Sequence, residues 1–355
     1  MGKKIRIGKR WIGEGEPCYV VAEVSGNHKQ SFERALEIIQ AASRAGADAV
    51  KLQTYTADTL TIDSDRDWFK IPAESVWAGK TLHQLYAEAY TPWEWHADLQ
   101  DAAHKLGLDL FSTPFDTTAV DFLEGLKVPA YKVASFEVVD VPLLRKIAKT
   151  AKPVIMSTGM ASFDEIREAV DTLRGGGAGD VALLKCTSAY PAPPREMNLR
   201  TIAHLRSTFD VVAGLSDHTL GGCVAIAAVA LGAAIVEKHF TLARADGGPD
   251  SSFSMEPEEF SAMVQAIRQV EAALGQVSYE ATSEEAKNVR FRRSLFVVRD
   301  VKAGETLTEE TVRSIRPGYG LPPRYLDDIL GRKAARDIPR GTPMSWDLVD
   351  GRRNP

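Results

Sequence analysis

Cysteine is scarce in this 355-residue sequence, which contains Cys18, Cys186 and Cys223. Three cysteines at wide spacing argue against a disulfide framework and against a cysteine-ligated zinc cluster. No apolar run approaches the roughly 18 residues that would span a bilayer. Met1–Arg10 is polar and basic with no apolar stretch behind it, so we expect no signal peptide there. These absences predict a cytoplasmic protein without a membrane segment.

An excess of positive charge is also absent. Lys and Arg total 43 against 48 Asp and Glu, which gives a formal net charge of -5. Without basic runs, the chain is not expected to bind nucleic acid or a membrane surface. An anionic ligand must therefore be held by locally placed cations. The 44% hydrophobic share is enough for a large core and excludes the disordered and fibrous classes.

Short apolar runs alternate with amphipathic stretches up to about residue 275. Eight runs are typical of buried parallel strands: Tyr19–Val24, Ala49–Gln53, Leu108–Ser112, Ala130–Ala134, Val154–Ser157, Val181–Cys186, Val211–Leu215 and Ile235–His239. Apolar residues at three- and four-residue spacing predict helices between them, including Phe32–Ala45, Trp93–Leu106, Phe163–Leu173 and Pro257–Leu274. This alternation predicts an α/β fold, a (β/α)8 TIM barrel. A doubly wound open sheet is the alternative.

Two segments depart from the alternation. Leu60–Ala89 is too long for a plain connection and predicts an elaborated loop over one face of the barrel. Beyond the barrel, a polar stretch is followed by short apolar strands and turns, which predict a small β-rich domain. We therefore expect a barrel domain over residues 1–280, a linker over 281–291 and the small domain over 292–355.

Polar residues stand at the carboxyl ends of the predicted strands, where the catalytic residues of TIM barrels lie. They include Glu23, Asn27, Lys51, Gln53, Ser112, Thr113, Lys132, Ser135, Ser157, Tyr190, Ser216, His218, Glu237 and His239. Core packing does not require so many polar groups. We therefore expect them to line a site at one mouth of the barrel.

The two histidines of this set end adjacent strands. His218 and His239 could supply two imidazoles to an open site for Mn²⁺, Zn²⁺, Fe²⁺ or Co²⁺. The alternative is a pair of hydrogen-bonded buried histidines. Glu23, at the end of the first strand, is a candidate general acid or base, with a salt-bridged structural carboxylate as its alternative.

The two lysines lie in otherwise apolar sequence. Burying Lys51 and Lys132 is costly unless an anion meets them, so they predict an anion pocket. Three serines complete a site for a phosphate and a carboxylate: Ser135, Ser157 and Ser216. Two alternatives stay open, a Schiff base on Lys132 as in class I aldolases, or structural ion pairs with Glu137 or Glu237.

Several blocks of the sequence resemble the sialic acid synthase family, whose members condense phosphoenolpyruvate with an N-acetylated sugar aldehyde. The blocks are Ala22–His28, Ala45–Thr54, Ser112–Phe115, Lys132–Glu137, Ser157–Met160, Gly214–Thr219 and Val236–Phe240. The tail with Arg316-Pro317-Gly318 resembles the antifreeze-like (SAF) domain that follows the barrel in this family. Lys185–Pro191 and Gly318–Tyr325 are similar to the branch of the family that makes pseudaminic acid, whereas neuraminate synthases have Asn at the position of Ser188.

The resemblance implies a role for each of these residues. His218 and His239 would bind a divalent metal, Mn or alternatively Mg or Co, and Glu23 would stand beside the reacting carbons. Phosphoenolpyruvate would be held by Lys51, Lys132, Ser135, Ser157 and Ser216. The sugar-binding side of the site would be lined by Gln53, Thr113, Phe115, Tyr190 and Asp250. Arg316 would arrive from the other subunit of a domain-swapped homodimer.

The implied reaction yields a nonulosonic acid and phosphate by C–O cleavage. For the pseudaminic acid branch the acceptor is 2,4-diacetamido-2,4,6-trideoxy-altrose; legionaminic or N-acetylneuraminic acid synthesis from another N-acetylated sugar is the alternative. A Schiff-base aldolase acting through Lys132 and a non-catalytic carbohydrate-binding protein are rival hypotheses. Binding alone would not require both the lysine pair and the histidine pair.

Overall fold

A computed structural model describes residues 3–351 of the chain. The chain divides into two compact units between Gly275 and Gln276. Among the helices within residues 3–351, none combines the length and the apolar character needed to cross a membrane.

The first unit is built on a closed barrel of eight parallel strands. Their bounds are β3 (Tyr19–Glu23), β4 (Ala49–Thr54), β5 (Asp109–Pro114), β6 (Tyr131–Val133), β7 (Val154–Ser157), β8 (Val181–Cys186), β9 (Val212–Asp217) and β10 (Ile235–His239), after a hairpin of β1 (Lys4–Ile7) and β2 (Arg10–Gly13). Neighbouring strands pair in chain order, and β10 closes the ring by pairing with β3 and β9. The predicted (β/α)8 barrel is confirmed, and the observed strand ends differ from the predicted ones by at most two residues.

Within residues 3–275, ten α-helices accompany the strands of this unit. They are α1 (Phe32–Arg44), α2 (Ala57–Leu60), α3 (Leu82–Ala89), α4 (His96–Lys105), α5 (Thr117–Gly125), α6 (Val141–Ala148), α7 (Phe163–Gly175), α8 (Thr201–Phe209), α9 (Cys223–Ala230) and α10 (Pro257–Leu274). Side-chain caps start many of them; Ser162, for example, accepts a hydrogen bond from the Glu165 N–H and forms the predicted capping box. The predicted elaborated loop, Leu60–Ala89, begins at the last residue of α2 and contains α3.

The amino-terminal hairpin was not predicted. Ile5, Ile7 and Ile12 are fully buried and belong to one cluster with the inward-facing residues of the barrel strands, such as Tyr19 and Phe111. Tyr19 and Phe111 lie toward the amino ends of their strands. The hairpin therefore closes the end of the barrel away from the strand carboxyl ends, and a ligand has access from the other mouth.

Alternation along the strands decides which residues face the barrel interior. In β3, Val20 and Ala22 pack in the layer between sheet and helices, whereas Tyr19 and Val21 belong to the inner cluster. Because alternate residues of a strand share a face, Glu23 points into the barrel with Tyr19 and Val21. The same alternation holds in β4, β9 and β10. The polar residues that end these strands on the inner face therefore converge at one mouth.

The second unit is small and β-rich, in agreement with the predicted SAF domain. Strands β11 (Ser294–Val297) and β12 (Val312–Ile315) pair antiparallel, and two short helices are present, α11 (Ser283–Ala286) and α12 (Leu326–Ile329). Further backbone pairing consists of isolated bridges such as Val301 with Ile338. Among the described residues of this unit, 276–351, eleven buried apolar residues form its core.

Candidate active site

Most of the predicted strand-end residues meet in a cavity of about 450 Å³. This volume lies within the range of about 300–1,000 Å³ that is common for small-molecule sites. Asn27 and Ser112 do not line the cavity, since Asn27 donates to the Phe240 carbonyl and Ser112 contacts Thr54 instead. Of the fourteen residues to which the family resemblance assigns a role, eleven line the cavity: Lys51, Gln53, Phe115, Lys132, Ser135, Ser157, Tyr190, Ser216, His218, His239 and Asp250. The tertiary structure thus assembles residues from distant parts of the sequence, since Lys51 and Asp250 line the same cavity.

Three predicted site residues are not part of this lining. Glu23 and Thr113 adjoin the cavity through Lys51, which forms an ion pair with Glu23 and donates a hydrogen bond to Thr113 Oγ1 over 3.1 Å. Arg316 belongs to the second unit, where a cis peptide bond joins it to Pro317. A role for Arg316 in this cavity stays a prediction.

Two lysines and two glutamates form a buried charge cluster. Strand pairing sets Glu23 beside Lys51. Lys51 Nζ lies 2.5 Å from Glu23 Oε2 and 3.8 Å from Glu237 Oε1. Lys132 Nζ lies 3.3 Å from the same Glu237 oxygen, which also accepts a hydrogen bond from Ser216 over 3.2 Å. The four charges balance, and mutual pairing offsets part of the cost of removing them from water.

Burial and charge act in opposite directions on these groups. Burial raises the pKa of Glu23 above its ordinary value, although Lys51 acts against this shift. Burial alone would lower the pKa of Lys51, but Glu23 and Glu237 together raise it. Burial lowers the pKa of Lys132, and Glu237 offsets only part of that shift. Lys51 is therefore held as a cation beside a carboxyl group that takes up a proton more readily than usual.

A third carboxyl group, that of Glu137, lines the same cavity. It lies in a short 3-10 helix after β6, and its Oε2 atom is buried without a hydrogen-bond partner among the described residues. Burial raises the pKa of Glu137 to about 7, against the opposing effect of Lys132. From the sequence, Glu137 was expected only as a structural partner for a lysine. The turn after a strand was the signal that could have placed it in the site.

A chain of polar contacts leads from Glu23 toward the histidines. Gln53 Nε2 donates to Glu23 Oε1 over 2.9 Å and to Ser25 Oγ over 3.4 Å. Ser25 donates to Asp250, whose Oδ2 lies 4.0 Å from His239 Nδ1. Ser25 adopts a left-handed backbone conformation with φ of 50°, which is strained for a residue other than glycine. Strained backbone conformations of this kind cluster at functional sites, which agrees with the contact of Ser25 with Asp250.

The two predicted metal ligands face each other across 5.3 Å between ring centroids. His218 Nδ1 lies 3.0 Å from the carbonyl oxygen of Thr187, so Nδ1 carries the donated proton and, in the neutral ring, Nε2 carries a lone pair. A metal-binding histidine is commonly oriented in this way. His239 Nδ1 is buried without a hydrogen-bond partner among the described residues, and burial holds its pKa well below the usual value. Both rings thus fit a divalent metal.

Within residues 3–351, no group of three or more His, Cys, Asp or Glu side chains could hold a metal ion. Two imidazole ligands alone would leave most coordination positions of a divalent metal ion open. The remaining ligands would have to be oxygen atoms of substrate or water. This arrangement suits a catalytic metal better than a structural one, which is normally closed by protein ligands.

Aromatic rings surround the histidine pair. Tyr190 lies 4.4 Å from the His218 ring and Phe253 lies 5.0 Å from the His239 ring, both between centroids. Trp77 packs against Tyr190 at 5.4 Å and donates its indole N–H to the Pro249 carbonyl over 2.6 Å. Trp77 and Phe253 were not among the residues that the sequence predicted for the site. The one sequence signal for a role in the site was the position of Trp77 in the long loop over the barrel face.

Several polar atoms of the cavity residues are buried without a hydrogen-bond partner in the described part of the chain. They are Ser157 Oγ, Glu137 Oε2, Glu237 Oε2 and His239 Nδ1. Buried polar atoms are normally paired, so such a group around one cavity indicates a site built for a polar ligand. Two ammonium groups among hydroxyl groups can hold an anion that carries phosphate and carboxylate.

Comparison with known proteins identifies the family of this chain. The NeuB family profile matches residues 38–279, and the SAF domain profile matches residues 292–350. The pseudaminic acid synthase of Helicobacter pylori is 43% identical over 94% of this chain and 98% of its own length. The N,N'-diacetyllegionaminic acid synthase of Legionella pneumophila is 35% identical over 99% of this chain and all of its own length.

A solved relative has the same architecture. The N-acetylneuraminic acid synthetase of Leptospira borgpetersenii, determined in complex with citrate, superposes with a TM-score of 0.72 at 30% identity. The match covers 81% of this chain and 96% of that structure. Barrel, strand-end residues and family profile all lead to the same assignment. The chain belongs to the NeuB family and carries a SAF domain after its barrel.

Proposed function

We propose that this chain is a pseudaminic acid synthase. It would join phosphoenolpyruvate, 2,4-diacetamido-2,4,6-trideoxy-altrose and water to give pseudaminic acid and phosphate. The observation that carries the proposal is the pair of buried lysines: Lys51 and Lys132 both lie within 3.8 Å of one Glu237 oxygen and line a cavity with unpaired polar atoms. Identity of 43% to a pseudaminic acid synthase, against 35% to a legionaminic acid synthase, supports the choice of acceptor.

The proposed reaction forms one carbon–carbon bond. C3 of phosphoenolpyruvate attacks the aldehyde carbon of the open-chain sugar, and positive charge develops at C2. Water adds at C2, and the bond between C2 and the phosphate oxygen breaks. One water proton ends on the new hydroxyl group and the other leaves with phosphate, so atoms and charges balance.

The residues of this chain would bind the anion and move protons. Lys51 and Lys132 offset the negative charges of phosphoenolpyruvate, and the hydroxyl groups of Ser157 and Ser216 orient it. Glu23 would transfer a proton at the aldehyde oxygen, because burial raises the pKa of its carboxyl group above its ordinary value and so favours the protonated form. A divalent metal held by the histidine pair would act as a Lewis acid toward that oxygen.

The second unit would complete the site in a domain-swapped homodimer. Arg316 stands on a loop rich in glycine and proline, and a guanidinium group is suited to the polar groups of an acceptor sugar. We therefore infer that the partner's copy of this loop covers the cavity. A cytoplasmic location fits the supply of phosphoenolpyruvate and stays part of the same proposal.

Phosphate release gives the direct test of this function. The protein is incubated with phosphoenolpyruvate and Mn²⁺ against three acceptors, namely the altrose derivative, the legionaminic acid precursor and N-acetylmannosamine. We expect release with the altrose derivative and its loss when the metal is removed by a chelator. Activity only with N-acetylmannosamine would reject the proposed acceptor.

Isotope labelling tests the bond that breaks. In ¹⁸O-water, pseudaminic acid should acquire the label and phosphate should remain unlabelled. Labelled phosphate would contradict C–O cleavage. Inactivation by borohydride in the presence of pyruvate would instead favour the rival Schiff-base aldolase that uses Lys132.

A further inference from the structure

The cavity has two chemically different parts. The strand ends supply charged and hydroxyl groups. The long loop contributes Ser75, Trp77 and Tyr86 together with six side chains that have no polar atom. These apolar side chains are Leu60, Ile71, Pro72, Leu82, Leu85 and Ala89, and we call them the apolar wall. Nothing in the charge cluster explains why this part of a polar site should be apolar.

The loop that carries the apolar wall is held in place by several local interactions. Capping boxes at Thr56 and Thr81 start helices α2 and α3. A backbone bridge joins Lys70 to Thr81 and closes the intervening segment. Trp77 ties the loop to Pro249, the residue before Asp250 of the site, through a 2.6 Å hydrogen bond. The wall is therefore a built surface of the cavity and not a loosely attached flap.

Helix α3 also packs closely on the segment that follows β3. A Cβ atom on Gly26 would lie 3.1 Å from Ala89 Cα, closer than ordinary van der Waals contact. Gly26 thus permits the approach of α3 to the site. The absence of a side chain at this position allows Leu85 and Ala89 to reach the cavity that Lys51 lines.

The two parts of the cavity suit the two ends of an extended acceptor. Under the proposed function, phosphoenolpyruvate lies at the lysines, and the aldehyde carbon of the sugar must lie next to it. The terminal carbon of the open chain is then the part of the sugar furthest from the charge cluster. The side chains of the apolar wall can bury a methyl group there, but they offer a hydroxymethyl group no replacement for its hydrogen bonds to water.

We propose that the apolar wall selects acceptors whose terminal carbon is a methyl group. This inference rests on the proposed function and adds the residues that determine the choice of sugar. A hydrophobic pocket discriminates against an added hydroxyl group by about 10- to 100-fold in kcat/KM. The preference for the 6-deoxy sugar over the same sugar with a 6-hydroxyl group should fall in this range.

The test compares these two sugars in wild-type protein and in matched variants. Leu82→Gln and Leu60→Gln place an amide in the wall, while Leu82→Met and Leu60→Met keep it apolar at similar volume. We expect at least one Gln variant to reduce the 6-deoxy preference by about tenfold. The Met variants should retain the preference. The KM for phosphoenolpyruvate should stay at the wild-type value throughout, because the lysines bind that substrate.

The outcomes separate this inference from the function on which it rests. If wild-type protein uses both sugars equally well, or if both Gln variants keep the full preference, the apolar wall does not select the sugar. Phosphate release with the 6-deoxy acceptor would still support the synthase in either case. If wild-type protein releases no phosphate with either altrose derivative, the proposed function itself is wrong.

Discussion

Asp217→Asn should destabilise the barrel more than any exposed charge substitution. Asp217 and Lys238 form an ion pair of 2.7 Å on the outer face of β9 and β10, with side chains 0% and 1% exposed. Lys238 also donates to the Thr219 carbonyl over 2.5 Å, and Asp217 accepts from the Thr219 N–H over 2.9 Å. The pair thus fixes the backbone on both sides of His218.

The size of the stability loss follows from the charge on Lys238 that Asp217→Asn leaves unpaired. Removing one partner of a buried ion pair leaves an uncompensated charge and typically costs about 3–5 kcal/mol. The Asn side chain can still accept from the Thr219 N–H, so the lost charge on Asp217 dominates the effect. Asp67→Asn is the matched control, since Asp67 pairs with Lys70 over 2.8 Å but is 93% exposed. Such exposed pairs contribute about 0–1 kcal/mol.

Urea unfolding followed by tryptophan fluorescence measures this difference. Five of the six tryptophans precede residue 276 (Trp11, Trp68, Trp77, Trp93 and Trp95), so the signal reports chiefly on the barrel. The double variant Asp217→Asn with Lys238→Met removes both charges and should lose less stability than the two single variants together. An Asp217→Asn protein as stable as the Asp67→Asn control would refute the reasoning.

The pH dependence gives a further check on the same variant. Burial lowers the pKa of Lys238 despite the opposing effect of Asp217, and without Asp217 this depression should deepen. A lysine with a depressed pKa binds fewer protons in the folded state than in the unfolded state. The free energy of unfolding therefore rises with pH in the window below about 10.4, the pKa of an unfolded lysine. The deficit of Asp217→Asn should shrink from pH 7 to pH 10, and a constant deficit would contradict this account.

Three other predictions concern the site and its surroundings. Burial raises the pKa of Glu137 to about 7, so ionisation of Glu137 above that pH should repel phosphoenolpyruvate and raise the KM for this substrate. Glu137→Gln should remove the rise, and a variant with the same dependence of KM on pH as wild-type protein would contradict the prediction. Burial lowers the pKa of His96 to about 4, so the neutral ring contributes about 3 kcal/mol to the free energy of unfolding above pH 6.5, and this contribution is lost as the pH falls toward 4. Urea titrations at each pH should show the loss in wild-type protein and not in His96→Gln. If each site uses residues of both chains, mixing inactive Arg316→Ala and Lys51→Ala proteins should restore about a quarter of wild-type phosphate release once the subunits exchange. No recovery after verified subunit exchange would exclude a site shared between subunits.

The barrel and much of its site could be predicted from the sequence. Val- and Ile-rich runs at regular spacing define parallel strands, and the carboxyl ends of such strands must lie at one mouth. Period-two alternation then turns Lys51, Glu237 and His239 to the same inner face. These are local properties of each strand, so they need no knowledge of which distant residues come into contact.

The tertiary structure decided which groups contact one another. The contact of Trp77 with Pro249, the burial that shifts the pKa of Glu137 and the partnership of Asp217 with Lys238 all depend on packing between distant segments. The amino-terminal hairpin belongs with them, since its apolar residues find partners only inside the closed barrel. Local patterns report which way a side chain faces, but burial and pairing arise only when remote parts of the chain come together and exclude water.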